Sequence, residues 1–348
     1  MSEFYDKTKS VDESDMRERI TLSHISDEAK KELLAIIDRE KLANLYSDAI
    51  AKKAFSPVKH PERLDFLLQH IMNDKGLEVL HSAANENTLA SKYSKKVISD
   101  IPAWLKDHRR ADLEIQAAAQ NYIYNRADIY SSEMLMIQYS VDEGQKKSEM
   151  NYEKVKGVII VVLMVKSPDI FEQFKSDRYI HRITKATADS GMEFPMLRQM
   201  AFVQLDKALE EYLTGTYNKD EDIELLRLLA MIADINNEKI MSDTKGEKFF
   251  DDIRKEVSEF SADKEVQAML LEEKMVIFDM QMTKEEGRTE GRAEGRAEGR
   301  VEGQTEGRAE VKDVFSWLFS SGRAGDVERA TKDEAFYNEV LKEYKNRK

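Results

Sequence analysis

Apolar side chains recur along this chain with two different periods, and the change of period divides it into elements. After a polar lead-in over residues 1–25, Ser26 and Asp27 cap a predicted helix. Its apolar positions, Leu33, Leu34, Ile37, Leu42, Leu45 and Ile50, keep a mostly helical spacing. Pro57 and Pro61 interrupt the chain, and a second helix follows with Leu64, Phe66, Leu67, Leu68, Ile71 and Met72. Beyond residue 95 the period becomes two. Residues 96–106 and 111–118 alternate apolar with polar around the charged stretch Asp107, His108, Arg109, Arg110, the pattern of a β-hairpin. A Tyr-rich amphipathic helix is predicted over 122–142. The unbroken apolar run 157–165 reads as a strand buried on both faces, and 178–187 and 200–206 are further short strands. From Asp220 onward the helical period returns, with Leu225, Leu226, Leu228, Leu229, Ile232 and Ile235.

The C-terminal part departs from this scheme. A four-residue Glu-Gly-Arg-Ala-like repeat places Gly287, Gly291, Gly295, Gly299, Gly303 and Gly307 at regular intervals. Each glycine costs a lone helix about 1 kcal/mol relative to alanine. A period of four also stacks Glu over Glu and Arg over Arg at i,i+4, which is mildly repulsive. Two readings follow. The segment is a flexible linker, or it is a helix stabilised by a partner helix, with close approach at the glycines and Arg columns facing Glu columns. A short helical module, 311–319 and 334–344, follows it.

Composition narrows the class. A hydrophobic fraction of 41% is enough for a core, while 35% charged residues, against a usual value of about 25%, implies long solvated helices as well. The formal charge of −13 argues against nonspecific nucleic-acid coating, but not against a local basic groove. No cysteine is present, which excludes disulfides, thiolate metal sites and thiol nucleophiles and suits a reducing cytoplasm. The longest apolar run has nine residues, against about 20 for a spanning helix, so no membrane segment is expected. Residues 1–15 show no signal-peptide pattern. The six histidines show no HExxH spacing, and no glycine-rich phosphate loop follows a strand.

The hairpin carries the candidate chemistry. With its turn centred near Asp107, paired positions sum to 214 and Asp100 lies opposite Glu114 on one face. Directly opposed residues have Cβ atoms about 4.5–5.5 Å apart. Two carboxylates at that separation repel unless a cation lies between them, and Mg²⁺ accepts one or two carboxylates while keeping several waters. Gln116 shares that face. Val97, Ile101, Ala103 and Leu105 share the other with Ala111, Leu113 and Ile115. The spacing alone fits an ordinary half-buried hairpin as well as a metal site, and Pro102 marks the first strand as an edge or a bulge.

Asp100, followed fourteen residues later by Glu114-Ile115-Gln116, resembles the core of the PD-(D/E)XK nuclease superfamily. More narrowly it resembles the recombination-promoting nuclease and PD-(D/E)XK nuclease family transposase group, in which a strand Asp precedes a charged turn and an Ile-Glu-x-Gln strand. Further pieces resembling the group occur in its order. They are Leu64-Asp65-Phe66 with Ile71, Arg126 with Tyr130, the apolar run from Gly157, and Val203 to Lys207 as a Glu-Leu-x-Lys strand with Gln204 in place of Glu. Gln69 and Met72 also depart from the usual Lys and Phe.

The resemblance implies a restriction-endonuclease-like α/β core, a mixed sheet flanked by helices, followed by an all-helical C-terminal region. It implies catalysis by Asp100, Glu114 and Gln116. Asp100, Glu114 and the Ile115 backbone carbonyl would hold Mg²⁺ or another divalent cation, with Asp65 and Arg126 as candidates for additional contacts. The expected divisions are 1–54, a nuclease-like core over 55–215, a helical region over 216–283, the repeat over 284–310 and a helical module over 311–348. The expected function is metal-dependent cleavage of DNA, linked to recombination or a mobile element, by a cytoplasmic homodimer joined through the C-terminal region. The alternative is a nuclease-derived interaction protein without catalysis, acting through its repeat-bearing C-terminal region.

Overall fold

The hairpin forms with the expected register. β1 (Ile101–Trp104) and β2 (Arg110–Gln116) are antiparallel, pairing Ile101 with Leu113, Pro102 with Asp112, Ala103 with Ala111 and Trp104 with Arg110. Pro102 is accommodated because β1 is the first strand of the sheet and its pairing with β2 is continuous. The computed structural model describes residues 13–80, 100–119, 122–139, 155–174, 176–217 and 222–347, so Val97 and the beginning of the expected first strand lie outside the described residues.

β3 (Val158–Met164) is buried at every position, and it lies between parallel neighbours. One is β2; the other is β5 (Glu193–Gln204), which in turn pairs antiparallel with β4 (Ile180–Thr187). The strand order β1-β2-β3-β5-β4 makes a mixed five-stranded sheet. Gly157 is required where β3 begins, because a Cβ there would stand 3.0 Å from the Leu197 carbonyl.

Helices cover the sheet unequally. One face, with Ala111, Leu113, Ile159, Val161, Leu163, Ala201 and Val203, joins the main core. The same core takes in buried residues of α1 (Glu13–Leu22), α2 (Asp27–Ile37), α3 (Asp48–Ala54) and α4 (Pro61–Met72). The other face, with Val158, Ile160, Val162, Met164, Met200 and Phe202, is covered by α5 (Ile123–Tyr139) and by Phe171 of the short α6 (Asp169–Phe174). After β5 come α7 (Leu205–Thr214), α8 (Ile223–Ala233), α9 (Glu238–Asp243) and α10 (Lys248–Ala262), of which α7, α8 and α10 add a run of buried apolar residues to the main core.

Several elements differ from expectation. The lead-in contains α1, which is mostly polar but buries Met16 and Ile20. The single helix expected after Ser26 is two helices. Ser26 does cap the first, accepting from the Ala29 N–H, and Ser47 precedes the second. The strand expected at 200–206 starts at Glu193 and ends at Gln204, so Lys207 belongs to the first turn of α7. Its first half pairs only with β4, where burial is slight and apolar alternation is weak.

Contacts divide the chain into Met1–Phe278 and Asp279–Lys348. α11 (Lys264–Ser320) is one continuous helix that includes the whole glycine repeat. In the second unit, Val314 and Leu318 of α11 form a small core with Val340 of α13 (Glu334–Lys345), next to α12 (Ala324–Lys332). Among the described residues no helix is long and apolar enough to cross a membrane.

Candidate nuclease site

Alternation along β2 sends Asp112, Glu114 and Gln116 to the face that α5 covers, while Leu113 and Ile115 enter the main core. Asp100 precedes β1 and stands opposite Glu114. Its N–H donates to Glu114 Oε1 at 3.3 Å, and its own Oδ2 accepts from the Ile115 N–H at 3.0 Å. The two carboxylates are thus held by each other's strands. N–H and C=O of one strand residue point to the same edge, so the Ile115 carbonyl shares the edge where Asp100 sits.

α5 supplies the counter-charge. Arg126 Nη2 donates to Glu114 Oε2 at 3.0 Å, with its guanidinium 5.0 Å from the Tyr130 ring centroid. Gln116 Nε2 donates to the same oxygen at 3.3 Å. Arg126 Nε is buried with no acceptor among the described residues.

Three carboxylates face this one guanidinium. Glu114 is only 2% exposed. Burial pushes its carboxyl well above the ordinary range, the Asp112 and Asp100 charges push it further, and Arg126 opposes them. Asp100 is also raised by burial. The Ile115 N–H acts against that shift, the Asp112 and Asp48 charges add to it, and Arg126 lowers it. The acidity extends to Glu273 of α11, whose carboxyl burial pushes up to about 7; the Asp48 N–H and Lys274 oppose the shift, and the Asp48 and Asp100 charges reinforce it.

The structure therefore brings together Asp100, Glu114, Gln116, Ile115 and Arg126. It does not bring Asp65 to them. Asp65 Oδ1 accepts from the Val79 N–H, and Val79 pairs with Leu105 near the hairpin turn, at the far end of β1 from Asp100. Asp65 thus ties α4 to the hairpin. Sequence reasoning missed Asp48 and Glu273, which reach the cluster from distant segments and carry no local motif. Asp112, which alternation puts on the same face but which is not among the expected ligands, is buried and raises both neighbouring carboxyls.

Among the described residues no three Asp, Glu or His side chains form a complete metal cage. The donors nevertheless suit a hard cation. Asp100 and Glu114 supply carboxyl oxygens and Ile115 a carbonyl, with Arg126 as the cation that bonds Glu114 among the described residues.

The model of the PD-(D/E)XK nuclease family transposases matches residues 45–287. The chain belongs to this family. No curated protein and no solved structure matches it. The match spans the five-stranded sheet, its flanking helices and the acidic cluster, so the nuclease-like α/β fold with a helical C-terminal region is established. The family's Glu-Leu-x-Lys segment falls across the end of β5 and the start of α7, with Gln204 bonded to His181 and Ser167.

The raised carboxyls set the direction of a pH effect. In the folded chain Glu114 keeps its proton to higher pH than when unfolded. Stability therefore falls as pH rises from the unfolded value towards the folded one. With divalent ions chelated, Glu114→Gln should flatten this decline and melt higher than the wild type at about pH 8, by at least ~2 °C for each pKa unit relieved. Scanning calorimetry over roughly pH 5 to 8 is the check. A variant that melts lower at every pH would show that the ionised carboxylate stabilises the fold.

Proposed function

We propose that the protein is a divalent-cation-dependent DNA endonuclease of the cytoplasm, serving recombination or a mobile element. One observation carries this reading: the hairpin register sets Asp100 and Glu114 side by side, with Gln116 and Arg126 on the same oxygen of Glu114. Asp100, Glu114 and the Ile115 carbonyl would hold Mg²⁺. A bound divalent cation polarises the scissile phosphate and lowers the pKa of an attacking water.

The remaining roles belong to the chain's own side chains. Gln116 stands where the superfamily has lysine. It supplies no charge, but its amide can accept a hydrogen bond from the attacking water and so orient it, or donate one to a phosphoryl oxygen. Arg126, part-exposed beside Glu114, places its positive charge where negative charge would build up on the phosphate, the kind of preorganised group that stabilises a transition state. Asp65 is assigned a structural role.

A second reading, an interaction protein without catalysis, draws support from the same cluster. Asp48, Asp112 and Glu273 add acidity, and Arg126 occupies a Glu114 oxygen.

The repeat suits a homodimer. Its residues are exposed along α11, and a Cβ at any of its glycines would meet nothing. At about 100° per residue, each Gly column is flanked by a Glu column on one side and an Arg column on the other. Glu and Arg two apart cannot meet within one helix. A parallel second copy would set each Glu flank against an Arg flank, whereas an antiparallel copy would oppose Glu to Glu. A period above 3.6 favours a right-handed crossing. Two subunits would also bring two sites to one duplex.

Plasmid cleavage should require Mg²⁺ or Mn²⁺ and stop with EDTA. Glu114→Gln should slow it at least about tenfold, on the order of 1.4 kcal/mol in barrier. A wild type that leaves plasmid intact with either metal favours the interaction reading, and full activity in Glu114→Gln removes that residue from the site. Light scattering should give a dimer that weakens when Gly291, Gly295 and Gly299 all become Leu. A monomeric wild type overturns the parallel pairing.

A further inference from the structure

A second polar recess opens at the opposite edge of the sheet. It has a volume of ≈ 1010 Å³ and lies where the approach to β4 meets the end of α4 and the start of α7. Lys75, Arg178, Arg182 and Lys207 all line it. Three carboxylates line it too. Asp222 bonds His70 and caps α8, and Glu211 lies 3.9 Å from Lys207, which leaves Asp177. Among the described residues neither Lys75 nor Arg178 nor Arg182 makes an ion pair.

These cations are held in place. Arg182 donates through Nε to the Ile71 carbonyl and through Nη2 to the His70 carbonyl at 3.3 Å, with the Nη2 end exposed. Lys207 donates to the Ser176 carbonyl and lies 3.5 Å from that of Arg178, fixing the segment that presents the Arg178 guanidinium. Arg182 holds its proton less tightly than usual, first through burial and then through the Arg178 charge. Two guanidiniums that repel each other at the wall of an open recess are relieved by an anion between them.

The recess opens at the same end of the sheet as the candidate site, but on the face that α4 covers, since Arg182 pairs with Ala201 of the main-core face. Gln116 pairs with Met164 and Met164 with Gln204, and the Gln204 N–H donates to the Tyr179 carbonyl. Gln116, Met164, Gln204 and Tyr179 therefore form a row across the sheet at the C-terminal ends of its parallel strands. Three strand spacings make about 14 Å.

We infer that this recess is a phosphate-binding subsite, in which Arg178, Arg182 and Lys75 hold a backbone phosphate of the DNA away from the bond placed at Asp100 and Glu114. The inference rests on the nuclease reading and adds a backbone contact outside the site. These residues are positioning residues. They carry affinity and register and take no part in the reaction.

The test is binding of a labelled duplex of about 30 base pairs, three turns, by anisotropy in EDTA across a salt series. The Lys75→Gln/Arg178→Gln double variant spares Arg182, which caps α4, and should melt as the wild type does. Each lost phosphate contact flattens the slope of log K against log salt by about 0.9, so the double variant should lose ~1.8. A wild type that binds duplex with a slope the variant leaves unchanged overturns the subsite and leaves the nuclease reading standing. No duplex binding by the wild type at low salt overturns both. If the variant loses only binding of inorganic phosphate, measured by calorimetry, the recess serves a small anion and the inference also fails.

Discussion

An excess of buried carboxyl groups over a single guanidinium governs this protein. Asp100, Asp112 and Glu114 share one face of a hairpin, and Arg126 is the one cation that bonds Glu114 among the described residues. Concentrating carboxylates in a place of low dielectric costs free energy, so the fold must hold them by other means. It does so through the backbone. The Asp100 N–H reaches Glu114 and the Ile115 N–H reaches Asp100, so the hairpin pairing that builds the sheet also fixes the acids. Opening the hairpin would release both at once.

The sheet makes that arrangement tolerable only on one side. The face that joins the main core is apolar across β2, β3 and β5, and many helices cover it. The opposite face is covered mainly by α5, and α5 brings Arg126 and Tyr130 to the acids as it packs. Stability and chemistry are thus divided between the faces of the same strands. Parallel pairing of β2, β3 and β5 also aligns their C-terminal ends, which brings the candidate site and the cationic recess to one end of the sheet, on opposite faces.

Much of this was legible from the chain. The alternation of apolar residues on either side of Asp107 defines the hairpin register, and with it the meeting of Asp100 and Glu114. The run from Gly157 could only be a strand buried on both faces. What escaped had weak local signals. α1 buries little beyond Met16 and Ile20, and the first half of β5 pairs only at the sheet edge, where no apolar pattern is demanded. Lys207 lies past the end of its strand because Gln204 already serves as the N-cap of α7. Asp48 and Glu273 join the acids through tertiary packing alone. The state of the repeat was undecidable from propensity, since its glycines disfavour the helix that the structure contains.

The central claim is that the acidic cluster awaits a divalent cation, and calorimetric titration with Mn²⁺ addresses it most directly. Raised carboxyls must lose protons when a cation enters, so titrations in two buffers of different ionisation enthalpy report proton release without any need for cleavage. At neutral pH the account predicts saturable binding with release of about one proton, affinity that rises with pH, and loss of both in Glu114→Gln. Binding without proton release, or unchanged by that substitution, would contradict it.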